Sequence, residues 1–250
     1  MKKPMKKMTT RKVAKLPASL AARKLAKKSS KADLSAVHVV NHPLAQDKLW
    51  HLRDKRTTPD NFRRLIGEIS QILAYEITGD LKTKEVRVET PIQATNAKKI
   101  VENMALVPIM RAGQAMLEGM LGLLPYCAVG HIGIYRDKFV NNTVEYYFRL
   151  PKGIEGMRVA VLDPMLATGD TAIVAISRLK EYKVGAISFA SILASSHGLT
   201  RLQEAHPDVK IYTLSIEPEL NSHGYIVPGL GDAGDRIYGT FDGPLGGGAV

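Results

Sequence analysis

The sequence predicts an α/β fold, a largely parallel sheet flanked by helices, and two observations carry that expectation. Apolar runs of strand character recur at 105–110, 128–135, 158–162, 186–193 and 209–216. Helical stretches at 112–123, 171–181 and 199–205 fall between several of them. Strands that alternate with helices pair in parallel, because each helix carries the chain back to the start of the next strand.

Ordered structure is expected from about Val37. Thr58-Pro59 then opens a helix, with a hydroxyl at the cap position and a proline where no amide partner is needed. Phe62, Leu65, Ile66, Ile69, Ile72 and Leu73 recur at spacings of three and four, which marks one buried face, and Gly79 ends the helix. The segment 136–150 breaks the strand–helix rhythm. Asn141-Asn142 between two apolar stretches reads as a hairpin or extended arm.

Composition fits one large domain with a substantial core: 250 residues, 45% hydrophobic and 24% charged. No apolar run is long enough to span a bilayer, so no membrane partner is expected. Cys127 is the only cysteine, which rules out an intrachain disulfide and favours a reducing compartment, the cytoplasm. The net charge of +11 suggests nucleic acid until its distribution is examined. Residues 1–32 hold ten Lys and two Arg, the first acid is Asp33, and the remainder carries 23 basic against 24 acidic residues. Residues 1–36 therefore read as a basic tail, disordered when free, and 37–250 as the folded domain. For the tail three readings stand: a solvated segment that binds polyanions weakly or not at all, an organelle-targeting segment, or a specific RNA-binding segment. Lys dominates over Arg and Pro17 interrupts an amphipathic helix, both of which count against targeting.

Three segments carry chemistry. In 158–176 a buried strand ends in Asp163, a turn follows, and a helix begins near Thr171. Ligands of parallel α/β sheets sit beyond the carboxyl ends of strands. There Thr168, Gly169 and Thr171 offer hydroxyls, close backbone approach and unpaired helix amides to a phosphate monoester, and Asp163 can accept from two sugar hydroxyls. An ordinary helix cap after a strand explains the same residues equally well. In 107–113 a strand leads into Arg111-Ala112-Gly113, where a guanidinium fork could meet a diphosphate, although arginine at a helix start is usually a solvated surface residue. The third segment, 224–240, contains Gly229-x-Gly231-x-x-Gly234. Too little chain follows for a dinucleotide-binding βαβ unit, so the glycines read instead as a loop presenting main-chain groups to a flat polar base. The seven His show no paired metal-ligand spacing, and Ser196-His197 lacks a nucleophile elbow.

With these segments in view, the chain from about Val39 to Thr240 resembles the type I phosphoribosyltransferase family. DPMLATG, VPIMRAG, HPLAQDKL and LNSHGYIVPGLGDAGDRIYGT resemble its uracil branch. The resemblance implies that family's fold, with a hairpin arm and a C-terminal base-binding hood, and conversion of uracil and phosphoribosyl pyrophosphate to UMP and pyrophosphate in pyrimidine salvage. It implies a donor site of Arg111, Arg136, Asp163, Pro164, Met165, Leu166, Ala167, Thr168, Gly169, Asp170, Thr171 and Asp232, of which Arg111, Arg136, Asp163 and Asp232 would be catalytic. Tyr225, Ile226, Gly231, Asp232 and Ala233 would face uracil. Mg²⁺ would arrive mainly with the donor, needing no dedicated protein ligands. A homodimer or higher homo-oligomer is implied, commonly paired through the arm, with GTP an allosteric activator in some relatives.

Two departures from the pattern stand out. Asp170 occupies a position that is usually glycine, and its side chain is expected to point outward, because a carboxylate aimed at the phosphate would repel it. ASSHG at 194–198 differs from the family's usual stretch. Two rival functions share the fold: an RNA-binding regulator of a pyrimidine operon, and a catalytically silent homologue that senses nucleotides.

Overall fold

The computed structural model describes residues 36–137 and 142–240, and the basic segment before Ala36 lies outside them. In chain order the elements begin with β1 (Val37–Val39), α1 (Pro43–Arg53), α2 (Pro59–Ile77), β2 (Thr83–Glu89), β3 (Ala94–Ile100), β4 (Met104–Met110) and α3 (Gly113–Leu123). They continue with β5 (Ala128–Val129), β6 (His131–Asp137), β7 (Asn142–Arg149), β8 (Arg158–Leu162), β9 (Met165–Leu166), α4 (Asp170–Lys180) and β10 (Ile187–Ala190). The last are β11 (Leu193–Ser195), α5 (Ser196–Ala205), β12 (Lys210–Thr213), β13 (Ser215–Glu217), β14 (Glu219–Leu220), β15 (Ile226–Val227) and α6 (Ala233–Tyr238).

The main sheet runs β1-β12-β10-β8-β4-β6-β7, with β5 also on β4, and every pair is parallel except β6 with β7. The expected α/β architecture is what forms. β4 and, after Arg158, β8 read as unbroken apolar runs because both of their faces are covered. Leu106, Ala160 and Leu162 join the core under α1, α2 and α3, whereas Val107, Val159 and Val161 join the core under α4 and α5. From β4 the chain goes one way to β6 and then returns to the other side as β8. The crevice between the β4 and β8 tips is therefore the switch point of the sheet, where such folds bind ligands.

The hairpin expected in 136–150 forms: β7 pairs antiparallel with β6 from His131↔Arg149 to Asp137↔Asn142 and makes the sheet edge. Phe148 anchors that edge under the Arg178 guanidinium, 4.8 Å away, and beside Tyr182. The expected turn residue Asn141 lies outside the described residues, and Asn142 is the first residue of β7. A second hairpin, which the sequence reading did not include, is β2–β3, paired from Thr83↔Ile100 to Glu89↔Ala94, with Ile92 at its turn 91% exposed. In α2 the helix starts at Pro59 as expected, but the Thr58 hydroxyl makes no cap bond to it and accepts from the side-chain Nδ2 of Asn61 at 3.1 Å. Thr78 caps its end, with its hydroxyl donating to the Ala74 carbonyl at 2.7 Å, and Gly79 follows where expected, its amide donating to the Glu76 carbonyl at 3.3 Å.

Candidate functional site

The β4 and β8 tips nearly touch. A Cβ on Gly113 would stand 2.3 Å from the Leu162 carbonyl oxygen, so only glycine permits α3 to start here. Arg111 is thereby left at the rim, exposed, with its guanidinium 5.6 Å from the centre of the Tyr238 ring. The Tyr238 hydroxyl donates to the Arg111 carbonyl at 2.8 Å, which ties α6 to this loop.

Asp163 follows β8. Its amide continues the ladder to the Ala190 carbonyl at 3.1 Å, and its Oδ1 accepts from the Met165 amide at 3.3 Å. Burial pushes its carboxyl up to about 7, with the Met165 amide pulling the other way. The chain then runs through Pro164 and the two-residue β9, which pairs with β11. Pro164 is buried and Leu166 is 1% exposed in the core, so these two residues can meet a ligand only through their backbone. Gly169 caps α4 at φ +82, a left-handed conformation that a side chain would strain. Thr168, Asp170 and Thr171 are half-buried around this turn.

The C-terminal segment folds over both tips. β14 and β15 pair through Glu219↔Val227 and Leu220↔Ile226, and Asn221 Oδ1 accepts from the His223 and Tyr225 amides at 3.0 Å each. Gly229 and Gly231 take φ +61 and +82, and a Cβ on Gly229 would lie 2.1 Å from the Ile226 carbonyl oxygen. Asp232 caps α6 by accepting from the Asp235 amide at 3.0 Å. The same carboxylate beside Tyr225 holds that phenol above its usual range.

Between these three segments lies a cavity of about 240 Å³. Its walls are Ala112 from the β4 tip, Asp163, Met165 and Ala167 from the β8 tip, and Gly224–Ile226 with 231–234 from the C-terminal segment. Eight of the sixteen site residues singled out in the sequence thus line one cavity. Arg111, Pro164, Leu166 and 168–171 are not part of its lining. Arg136 lies on β6 opposite Thr143, and its side chain lies outside what is described.

Three arginines were not foreseen. Arg53 donates to the Gly229 carbonyl at 2.8 Å and pairs with the buried Glu217. Arg63 donates to the Ile237 carbonyl at 2.7 Å. Arg236 donates to the carbonyls of Leu52, Leu230 and Asp54, with its guanidinium 4.3 Å from the centre of the Phe62 ring. Together they fasten the C-terminal segment to α1 and α2. In the sequence each looks like an ordinary charged residue on a helix.

Comparisons with known proteins agree with this geometry. The family described as uracil phosphoribosyltransferase matches residues 39–240. A uracil phosphoribosyltransferase of Variovorax paradoxus is 51% identical over 208 residues, 83% of this chain and 100% of that protein. One from Dictyoglomus turgidum is 53% identical over 205 residues, 82% of this chain and 99% of its own length. The solved structure of the AQ2163 protein of Aquifex aeolicus superposes with a TM-score of 0.78 at 35% identity, covering 82% of this chain and 98% of that one. With a family match over most of its length, and relatives of about half identity along their entire chains, this chain belongs to the uracil phosphoribosyltransferase family.

Proposed function

We propose that the protein transfers the phosphoribosyl group of phosphoribosyl pyrophosphate to uracil, releasing pyrophosphate and UMP, as a pentosyltransferase of pyrimidine salvage. The observation that carries this reading is the convergence of three loops on one cavity, each with a different chemical character. Asp163 offers a carboxylate to the ribose hydroxyls. The 167–171 turn offers amides and hydroxyls to the 5′-phosphate. Arg111, exposed next to the cavity-lining Ala112, would meet the diphosphate, with Arg136 assigned to the same group by resemblance. Ile226 and 231–233 present an apolar surface and main-chain groups to uracil, whose alternating donors and acceptors they can complement. A cavity of about 240 Å³ is small, which suits a one-ring base.

The reaction is a direct displacement at the anomeric carbon. The ring nitrogen of uracil arrives as the diphosphate departs, with no covalent bond to the protein. Catalysis then consists of positioning and of stabilising charge on the leaving group. Asp163 accepts from the ribose hydroxyls best as a carboxylate, and hydrogen bonds donated by those hydroxyls favour that form. Asp232, whose side chain already caps α6, holds the 231–233 backbone in place beside the donor.

Mg²⁺ is implied by the family chemistry. Among the described residues no group of three or more His, Cys, Asp or Glu is placed to hold a metal. Single carboxylates such as Asp163 at the cavity wall fit an ion that travels with the donor and keeps much of its water. When bound, such an ion neutralises the diphosphate.

The resemblance extends this proposal to GTP as an activator and to a homo-oligomer, and the exposed β2–β3 hairpin supports self-association. Turnover with and without GTP tests the first, and light scattering the second. The lone, buried Cys127 supports a reducing, cytoplasmic setting. No helix among the described residues is long and apolar enough to cross a membrane.

A nucleobase panel with the donor and Mg²⁺, following pyrophosphate release, tests the activity. Uracil is expected to release pyrophosphate and cytosine not. Binding of both substrates without release would replace this reading with that of a silent sensor. Tail-dependent, salt-sensitive binding to a defined RNA, again without release, would replace it with that of an RNA regulator.

A further inference from the structure

Asp170 puts a carboxylate in the turn assigned to a phosphate, and its surroundings account for how the turn tolerates it. Arg201 Nη1 lies 2.6 Å from Asp170 Oδ1, and the Thr168 hydroxyl donates to Oδ2 at 2.9 Å. The same Nη1 donates to the Thr168 carbonyl at 2.6 Å. One guanidinium nitrogen therefore holds both the backbone and the carboxylate of the turn. The side chain, expected from the sequence to point outward, is 25% exposed and paired with Arg201.

Arg201 is placed by the ASSHG stretch whose divergence had no explanation in the sequence. The Ser195 hydroxyl donates to the Ala167 carbonyl at 2.5 Å and accepts from the Gly198 amide at 2.8 Å, which starts α5 directly under the turn. A Cβ on Gly198 would stand 2.3 Å from the Ala167 carbonyl oxygen. The first turn of α5 is thus the floor of the loop, and Arg201, one turn onward, reaches up its side.

We propose that Arg201 is a positioning residue for the phosphoribosyl donor, acting through Asp170 and the Thr168 carbonyl. While its hydroxyl donates to Asp170, Thr168 cannot donate to a phosphate, since a hydroxyl has one proton to give. Arg201 keeps Asp170 paired when the arriving phosphate takes over that hydroxyl. It also cancels a charge that, left bare a few ångströms from a dianion, would cost about 10–100-fold in donor affinity at a protein surface. This inference rests on reading 167–171 as the 5′-phosphate site.

The test uses the full chain and the variants R201A, D170N, R201A/D170N and T171A, with thermal melts, both KM values, kcat, and direct titration of the donor. R201A is expected to raise the donor KM by about 10–100-fold with the uracil KM changed less than about threefold. Adding D170N to R201A should recover at least about tenfold of that loss, because the bare charge is gone. A weakened donor in R201A that D170N does not rescue overturns the proposal, as does an unweakened one. D170N alone keeps the Arg201 packing and covers the case in which R201A fails to fold. It is expected to tighten donor binding about 2–5-fold, and weaker binding overturns the proposal. If T171A binds the donor as the parent does, the phosphate-site reading itself fails; if T171A weakens it while the Arg201 outcomes are contrary, only this inference falls.

Discussion

The loop at the β8 tip and the C-terminal segment face each other across one cavity, but they are held there by different means. The first is held mostly by main chain, with the Ser195 hydroxyl and the Arg201 guanidinium added on the Ala167 and Thr168 carbonyls. Asp163 extends the sheet ladder, the Pro164 carbonyl accepts from the Ile192 and Leu193 amides at 3.0 and 3.1 Å, and β9 pairs with β11. Glycines at 113, 169 and 198 let backbone pack on backbone with no side chain between. The second has only a two-residue pairing of its own, β14 with β15, and is fastened by the long side chains of Arg53, Arg63 and Arg236 bonding to carbonyls. Main-chain support cannot be altered one residue at a time without disturbing the sheet. Arginine fastenings can. The donor side should thus be the stiffer half, preformed before substrate arrives, and the base side the half whose backbone depends more on single side chains.

The largest effect should come from the donor half. Arg111→Ala is expected to lower kcat/KM by about 10²–10³-fold in pyrophosphate release, while the melting temperature stays near that of the parent, since the side chain is exposed. Unchanged turnover would remove Arg111 from the reaction.

Next comes the base half. Arg236→Ala removes bonds to three carbonyls and the contact with Phe62. It should cost about 2–4 kcal/mol of stability and raise the uracil KM about tenfold or more, with donor affinity by titration within about threefold. An equal loss for both substrates would break the contrast between the two halves.

Asp163 sharpens the comparison through pH. Its carboxyl is raised to about 7 by burial, so the protonated form is the one the fold prefers. The stability this supplies is fully present below the unfolded carboxyl's value of about 4 and is lost as pH rises through about 7. Donor binding runs the other way, because the carboxylate is the form that accepts from ribose hydroxyls. The parent's kcat/KM for the donor should fall about tenfold per pH unit below 7, and Asp163→Asn should flatten that limb at a uniformly lower level. An identical limb in the variant would assign it to another group.

The smallest effect belongs to the link between the halves. Tyr238→Phe removes one hydrogen bond, from the hydroxyl to the Arg111 carbonyl, and keeps the ring under the guanidinium. It should cost about 0.5–1.5 kcal/mol in melts and less than about threefold in turnover. A much larger fall in kcat would make that bond part of the coupling between base and diphosphate loops.

Where burial imposed a pattern, the sequence was readable. Met104–Met110 and Val159–Leu162 are apolar throughout because helices cover both faces, and the two strands were placed nearly to the residue. Pro59 located the start of α2 through its fixed backbone angle, although the Thr58 hydroxyl bonds elsewhere. Thr83–Glu89 and Ala94–Ile100 escaped notice because their hairpin buries almost nothing, so no face selects apolar residues. α1 was missed as an element for a similar reason: only Ala45, Leu49 and Leu52 are buried, and its cap is His42, whose Nδ1 accepts from the Leu44 amide, instead of a hydroxyl or carboxylate.

The site divides likewise. Gly113, Asp163, Gly169 and Gly231 stand at strand tips or turns where backbone constraint leaves a local mark. Arg53, Arg201 and Arg236 leave none. Each bonds to a carbonyl far away in the chain, Arg53 to Gly229 across 176 residues and Arg201 to Thr168 across 33. Any helix surface carries arginines of the same kind, and nothing near them in sequence names the partner. The meaning of Asp170 was hidden with its partner, because a carboxylate in a phosphate turn reads as a defect until the guanidinium beside it is seen.

The bonds from Arg236 to the Leu52 and Asp54 carbonyls join nearly the first and last described helices of the chain. During synthesis α1 and α2 are made early, yet the wall that faces the base cannot be fastened to them until the residues around 236 have left the ribosome. The sheet and the donor turn are complete by then, so a nascent chain should gain its grip on the phosphoribosyl group first and its choice of base last. A chain released a few residues short of Arg236 would keep its sheet and lose its ability to tell one base from another.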